Sequence, residues 1–172
     1  ATYRQRILWL LVLMISATAS GMIITAFEDA LAAQVVLTAF IPMLMSTGGN
    51  SGSQASVTII RGLSLNEIQY KDFLRVFWKE IRVGVLCGVT LAAANYVKLL
   101  LIDRVSSPVA ATVCLTLVLT VVFSKIVGSL LPMGAKKIGL DPAVMASPFI
   151  STIVDILSLL IYFQIAALLL GL

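Results

Sequence analysis

Asp155 is the only carboxylate deep inside an apolar stretch, Pro148–Leu170, where its neighbours are Ile, Leu, Val and Phe. A charge at bilayer depth costs about 3 kcal/mol or more, and it faces a partner or a wet path. Ser147, Ser151, Asp155 and Ser158 recur at spacings of four, four and three, so a helix would place them on one face. Such a face is a ladder of oxygen atoms. Oxygen ligands suit a hard cation such as Mg²⁺ or Ca²⁺ rather than Zn²⁺ or Cu⁺. His is absent, and Cys87 and Cys114 fall inside apolar stretches, so the sequence offers no soft-metal site.

A second polar stretch runs from Ser46 through Thr47, Gly48, Gly49, Asn50, Ser51, Gly52, Ser53, Gln54 and Ala55 to Ser56. Polar or broken helix at membrane depth is tolerated where protein buries it or where it lines water. Close packing through glycine is the plainer account of this stretch alone. Paired with Asp155 in another span, it points to a polar conduit, with Gly49, Asn50, Ser53, Gln54 and Ser147 as candidate lining. Lys125 offers a different reading of Asp155. It lies about 9 Å inside its span and Asp155 about 10 Å inside its own, at 1.5 Å per residue. A buried Lys125–Asp155 ion pair would explain both charges.

The elements that must position these residues are membrane helices. Hydrophobic residues make up 60% of the 172, charged residues 12%, and the mean hydropathy is +1.07. A soluble domain could not hide that much apolar surface. Five spans of bilayer length are expected: Ile7–Phe27, Ala30–Thr58, Val83–Ile102, Val109–Leu131 and Asp141–Leu170. The fold class is therefore all-α and polytopic, a single membrane domain over residues 1–172. No cleavable signal pattern precedes the first span. The chain begins at Ala1 beside that span, so it reads as a membrane domain with a soluble part elsewhere.

Basic residues orient the spans. Arg4 and Arg6, the group from Arg61 to Arg82, and Lys136 with Lys137 fall on one side. Lys98 and Arg104 share the other side with Glu28, Asp29 and Asp103. The positive-inside rule then puts the N-terminus in the cytoplasm and the C-terminus outside a plasma (inner) membrane. The pI of about 9.3 follows from this anchoring and needs no nucleic acid. The linker Leu63–Ile81 reads as an amphipathic interfacial helix, with Ser64 and Glu67 at capping-box spacing. Gly84, Gly88 and Ala92 form one close-packing stripe. Thr112, Thr116, Thr120, Ser124 and Gly128 form another, which could also border water. Asp141 and Pro142 suit the start of the fifth span as N-cap and first helical residue. Pro148 should then bend that helix by removing its bond to the Val144 carbonyl.

These segments resemble the membrane domain of the MgtE family of magnesium channels. Pro42–Gln54 (PMLMSTGGNSGSQ), Leu140-Asp141-Pro142-Ala143 and Thr152-Ile153-Val154-Asp155 carry the resemblance, which extends over essentially the whole chain. It implies a homodimer with a pore near the two-fold axis. Asp155 would be the ion-selecting carboxylate, Ser151 a contributor one turn earlier, and Asp141 a cation-binding group at the cytoplasmic end. Ser147 and Ser151 stand where some relatives carry Asn and Ala. The resemblance also implies an N-terminal helical domain and CBS domains that sense Mg²⁺.

A dimer has independent appeal, because two copies of Asp155 on a shared axis match the charge of one divalent ion. Mg²⁺ gives up water reluctantly, so a wide site for the hydrated ion would conduct better than a dry cage. The function expected is a Mg²⁺ channel pore, with Mn²⁺, Co²⁺, Ni²⁺ or Ca²⁺ as further possible cargo. The alternative is a secondary transporter that exchanges a divalent cation for H⁺ or Na⁺, since a membrane Asp also serves proton relays. An enzyme is not expected, because no nucleophile–base set is present. A structural subunit with Asp155 paired to Lys125 is the fourth reading.

Overall fold

The computed structural model describes residues 2–145 and 147–172, with the side chains at 2, 5, 144, 145 and 147 excepted. Six α-helices follow in order: α1 (Thr2–Ala26), α2 (Glu28–Ala33), α3 (Ile41–Ser64), α4 (Phe73–Leu101), α5 (Ser107–Lys137) and α6 (Ser147–Leu170). Short 3₁₀ turns occupy Val35–Phe40, Tyr70–Asp72 and Pro142–Met145. The fold is all-α, as expected.

Four segments are long and apolar enough to cross a bilayer: Arg6–Ala26, Tyr70–Leu101, Ser107–Lys137 and Pro148–Leu170. Helix α3 is 24 residues long, the same length as α6. Its Ser46–Ser56 stretch leaves it too polar to count by composition. The first, third and fourth expected spans therefore have apolar helices under them. The expected second span does not begin at Ala30. Helix α2 ends at Ala33, the 3₁₀ turn follows, and α3 starts only at Ile41. Pro42 explains the break: it has no N–H to donate and fits the first turn of a helix, not its interior.

The interfacial helix expected over Leu63–Ile81 does not form as a separate element. Helix α3 continues to Ser64, so Ser64 ends a helix and caps none. Asn66 adopts a left-handed φ of 57°, and the N–H groups of Glu67 and Ile68 turn back to the Gly62 carbonyl at 2.9 and 3.1 Å. Asn is one of the few residues that tolerates this cap conformation. The Gln69 N–H then donates to the Asp72 carboxylate at 2.9 Å. From Phe73 no proline interrupts the chain, so the amphipathic half runs unbroken into the third span as α4.

The start of the last span also differs from expectation. Asp141 accepts a hydrogen bond from the Ala143 N–H at 2.9 Å, which caps the 3₁₀ turn and not α6. Pro148 is the second residue of α6, where its missing N–H costs no helical bond, so it does not bend the helix interior. Pro132 is the proline inside a helix. It removes the α5 bond to the Gly128 carbonyl.

Helix α5 is the hub: α3, α4 and α6 all pack against it, and α1 packs on α6. Both expected stripes are packing seams. Gly84 and Gly88 lie against the Val122 and Val118 backbones, where an added Cβ would come within 3.0 Å. Thr112, Thr116, Thr120 and Ser124 are fully buried, and Gly128 touches the Gly52 backbone of α3. The main core, with Leu44, Leu99, Val113, Leu117, Leu159 and Phe163, sits among α3 to α6. Two contacts lock its far end: Phe27 stacks on Phe163 at 4.7 Å, and the buried Tyr162 hydroxyl donates to the Leu37 carbonyl at 2.7 Å. Leu8, Leu10, Met14 and Ile15 of α1 and Leu86 and Val97 of α4 stay exposed, an outer surface suited to lipid.

Candidate ion site

The α3 glycines bring the two polar stretches together. Antiparallel to α6, α3 places Gly48 against Val154 and Ser158, and Gly49 against Ser151. A Cβ at Gly48 would lie 2.9 Å from the Ser158 hydroxyl; one at Gly49 would lie 3.2 Å from that of Ser151. Beside this seam opens a recess of about 230 Å³, lined by Met45, Ser46, Gly49 and Asn50 of α3 and Ser151 and Asp155 of α6. At about 30 Å³ per water, that is room for roughly seven waters. The polar groups on its wall are two hydroxyls, one amide and one carboxylate.

The recess gathers Asp155, Ser151, Gly49 and Asn50, each named from the sequence. Asn50 also lines an adjoining recess with Ser53, Gln54, Val57 and Thr58. The α3 candidates thus form one polar strip continuing from the Asp155 recess. Asp141 is exposed on the 3₁₀ turn before α6 and does not line the recess. Ser147 has its side chain outside the described residues.

Ser158 leaves the expected ladder. It is buried under Gly48, and its hydroxyl bonds to the Val154 carbonyl at 2.7 Å. Ser46 was missed as a lining residue. Its signal was available, since it lies four residues before Asn50 and so on the same face. The Lys125–Asp155 pair is absent: among the described residues the one ion pair is Lys98–Asp103, at 2.8 Å. The structure puts Asp155 in the α3–α6 recess and Lys125 in a different cavity, between α3 and α4, that shares Asn50 with the recess but not Asp155. The described residues hold no cluster of three His, Cys, Asp or Glu side chains that could chelate a metal. One chain supplies one carboxylate here.

An all-helical, multi-pass membrane protein with a carboxylate-bearing polar recess is a candidate for moving ions. Comparison with known proteins gives the class its name: residues 41–165 match the MgtE family, described as divalent cation transporters, and the chain belongs to that family. It is a family of transporters, not of enzymes. The chain is 37% identical over 174 residues to the magnesium transporter MgtE of Thermus thermophilus. It is 38% identical over 170 residues to that of Bacillus subtilis, and 28% identical over 166 residues to that of Enterococcus faecalis. These alignments cover 99%, 96% and 95% of the chain but only 37%, 36% and 36% of the relatives. The chain spans just over a third of their length.

Proposed function

We propose that this chain forms the pore of a Mg²⁺ channel that conducts hydrated divalent cations down their electrochemical gradient. The observation that carries the proposal is the meeting of the α3 polar strip with Asp155 in one recess. Its volume and hydroxyl-bearing wall favour a hydrated ion. Asp155 supplies the attraction, Ser151, Ser46 and Asn50 hold waters of the hydration shell, and Asp141 concentrates cations at one mouth. The site stays weak enough for exit because it offers one carboxylate per chain. In a homodimer two such recesses on a common axis would balance the charge of the ion.

In this reading α3 also crosses the bilayer, as the second of five spans, α1 starts in the cytoplasm and α6 ends outside, in the plasma membrane. Inward movement of a divalent ion gains about 4.6 kcal/mol per 100 mV, twice the single-charge value, so no coupling ion is required. The relatives named magnesium transporters point to Mg²⁺ as the cargo. Their extra length leaves room for cytoplasmic N-terminal and CBS regulatory domains. The test is Mg²⁺ uptake into liposomes with the purified protein, with and without imposed H⁺ and Na⁺ gradients. Uptake that ignores both gradients is expected; uptake that needs either one makes the protein a coupled transporter.

A further inference from the structure

The recess around Asp155 leaves one charge unused. Lys125 is the one buried cationic side chain among the described residues, with 7% of its surface exposed. Drawing an ammonium out of bulk water costs free energy unless a counter-charge compensates it. No carboxylate does so: the one ion pair among the described residues is Lys98–Asp103. Glu80, the other charged side chain with little exposure, is not within ion-pair distance.

Lys125 instead lines a cavity of about 510 Å³. The cavity arises because α3 and α4 both pack on α5 and leave a gap between them. On the α3 side stand Asn50, Ser51 and Gln54. The Ser51 hydroxyl is buried and has no hydrogen-bond partner. On the α4 side stand Leu86 and Thr90, both exposed on the outer surface of the bundle. No carboxylate lines the cavity. Its polar groups are an ammonium, two amides and hydroxyls, set in a wall that Leu86, Leu91 and Val121 make otherwise apolar. The ammonium repels a metal cation and attracts an anion, and the amides and hydroxyls can donate to it.

We propose that this cavity binds a compact oxyanion, a phosphate group, with Lys125 as its charge partner and Ser51 and Gln54 as hydrogen-bond donors. The proposal does not depend on the channel reading: the cavity shares Asn50 with the Asp155 recess, but Asp155 does not line it. Two sources can present a phosphate: a lipid phosphodiester arriving past Leu86 from the bilayer, or inorganic phosphate from water.

The test follows bound phosphorus by ³¹P NMR on the purified protein. One arm uses phosphate-free buffer and phosphatidylglycerol; the other uses a phosphorus-free detergent with added inorganic phosphate. The wild-type protein should show a bound signal in at least one arm, and that arm names the source. Lys125→Arg should keep it. Lys125→Met should weaken it about ten-fold or more, the worth of a charge-assisted hydrogen bond. Ser51→Ala, a small change on the opposite wall, should weaken it about three-fold, which keeps the test decisive should Lys125→Met fail to fold. No bound signal in either arm, or a signal that ignores both Lys125→Met and Ser51→Ala, overturns the proposal.

Discussion

Gly128→Ala tests whether α3 and α5 touch backbone to backbone. A Cβ at Gly128 would overlap the Gly52 carbonyl oxygen and lie 3.0 Å from the Gly52 Cα. Ordinary carbon–oxygen contacts begin near 3.3 Å, so the helices must part by about 1 Å. Neither neighbour is a flexible side chain, which puts the cost near the top of the usual overpacking range, about 3 kcal/mol. Alanine's better helix propensity returns about 1 kcal/mol, for a net loss of about 2. Gly134 provides the control in the same helix, because an added Cβ there meets nothing within 4 Å. Gly134→Ala should be neutral or stabilising by up to about 1 kcal/mol. The two variants should differ by about 3 kcal/mol, a gap of about 6–12 °C in Tm for a chain of this length. Thermal unfolding in matched nanodiscs measures it. Equal melting of the two would refute the close approach and the placement of α3 on which the recess depends.

Three further outcomes follow from particular contacts. Tyr162→Phe leaves the Leu37 carbonyl buried without its donor and should cost about 1–3 kcal/mol, with faster amide exchange over residues 35–40; unchanged exchange would show that this bond does not pin the 3₁₀ turn. Asn66→Gly should be tolerated, whereas Asn66→Val should lose about 1–2 kcal/mol by forcing a β-branched residue to a φ of 57°, as read by chemical unfolding; equal stability of the two would contradict the left-handed cap. Ser46→Ala and Ser151→Ala should each lower Mg²⁺ uptake several-fold without changing Tm, since each removes one neutral hydrogen bond of about 1 kcal/mol from the recess.

Much of the fold was legible because bilayer helices announce themselves by apolar length. The two packing stripes were legible for a related reason: small residues four apart on a long helix have few other uses. The breaks were harder. Pro42 carries the signal that starts α3, yet the run of apolar residues from Ala30 suggested continuity through it. Asn66 looked like part of an amphipathic helix, and only its backbone conformation shows that it ends α3. Asp155, Ser151, Gly49 and Asn50 could be named from residue type and spacing. Their convergence could not, because it depends on how closely Gly48 and Gly49 let α3 approach α6. Spacing alone likewise left Ser158 on the ladder and left Lys125 free to pair with Asp155. Helix crossing decides both, burying Ser158 under Gly48 and turning Lys125 toward α4.

The most direct test of the pore assignment is Mg²⁺ flux through Asp155→Asn. Asn keeps the size of the side chain and removes its charge, so electrostatics is separated from packing. Fluorescent Mg²⁺ indicators inside proteoliposomes would follow uptake under an inside-negative potential, with Tm and oligomeric state measured on the same samples. A folded variant with uptake reduced about ten-fold or more is expected, from the loss of a charge-assisted contact of about 1.5–3 kcal/mol. Wild-type uptake by a folded Asp155→Asn protein would contradict the account and remove Asp155 from the ion path.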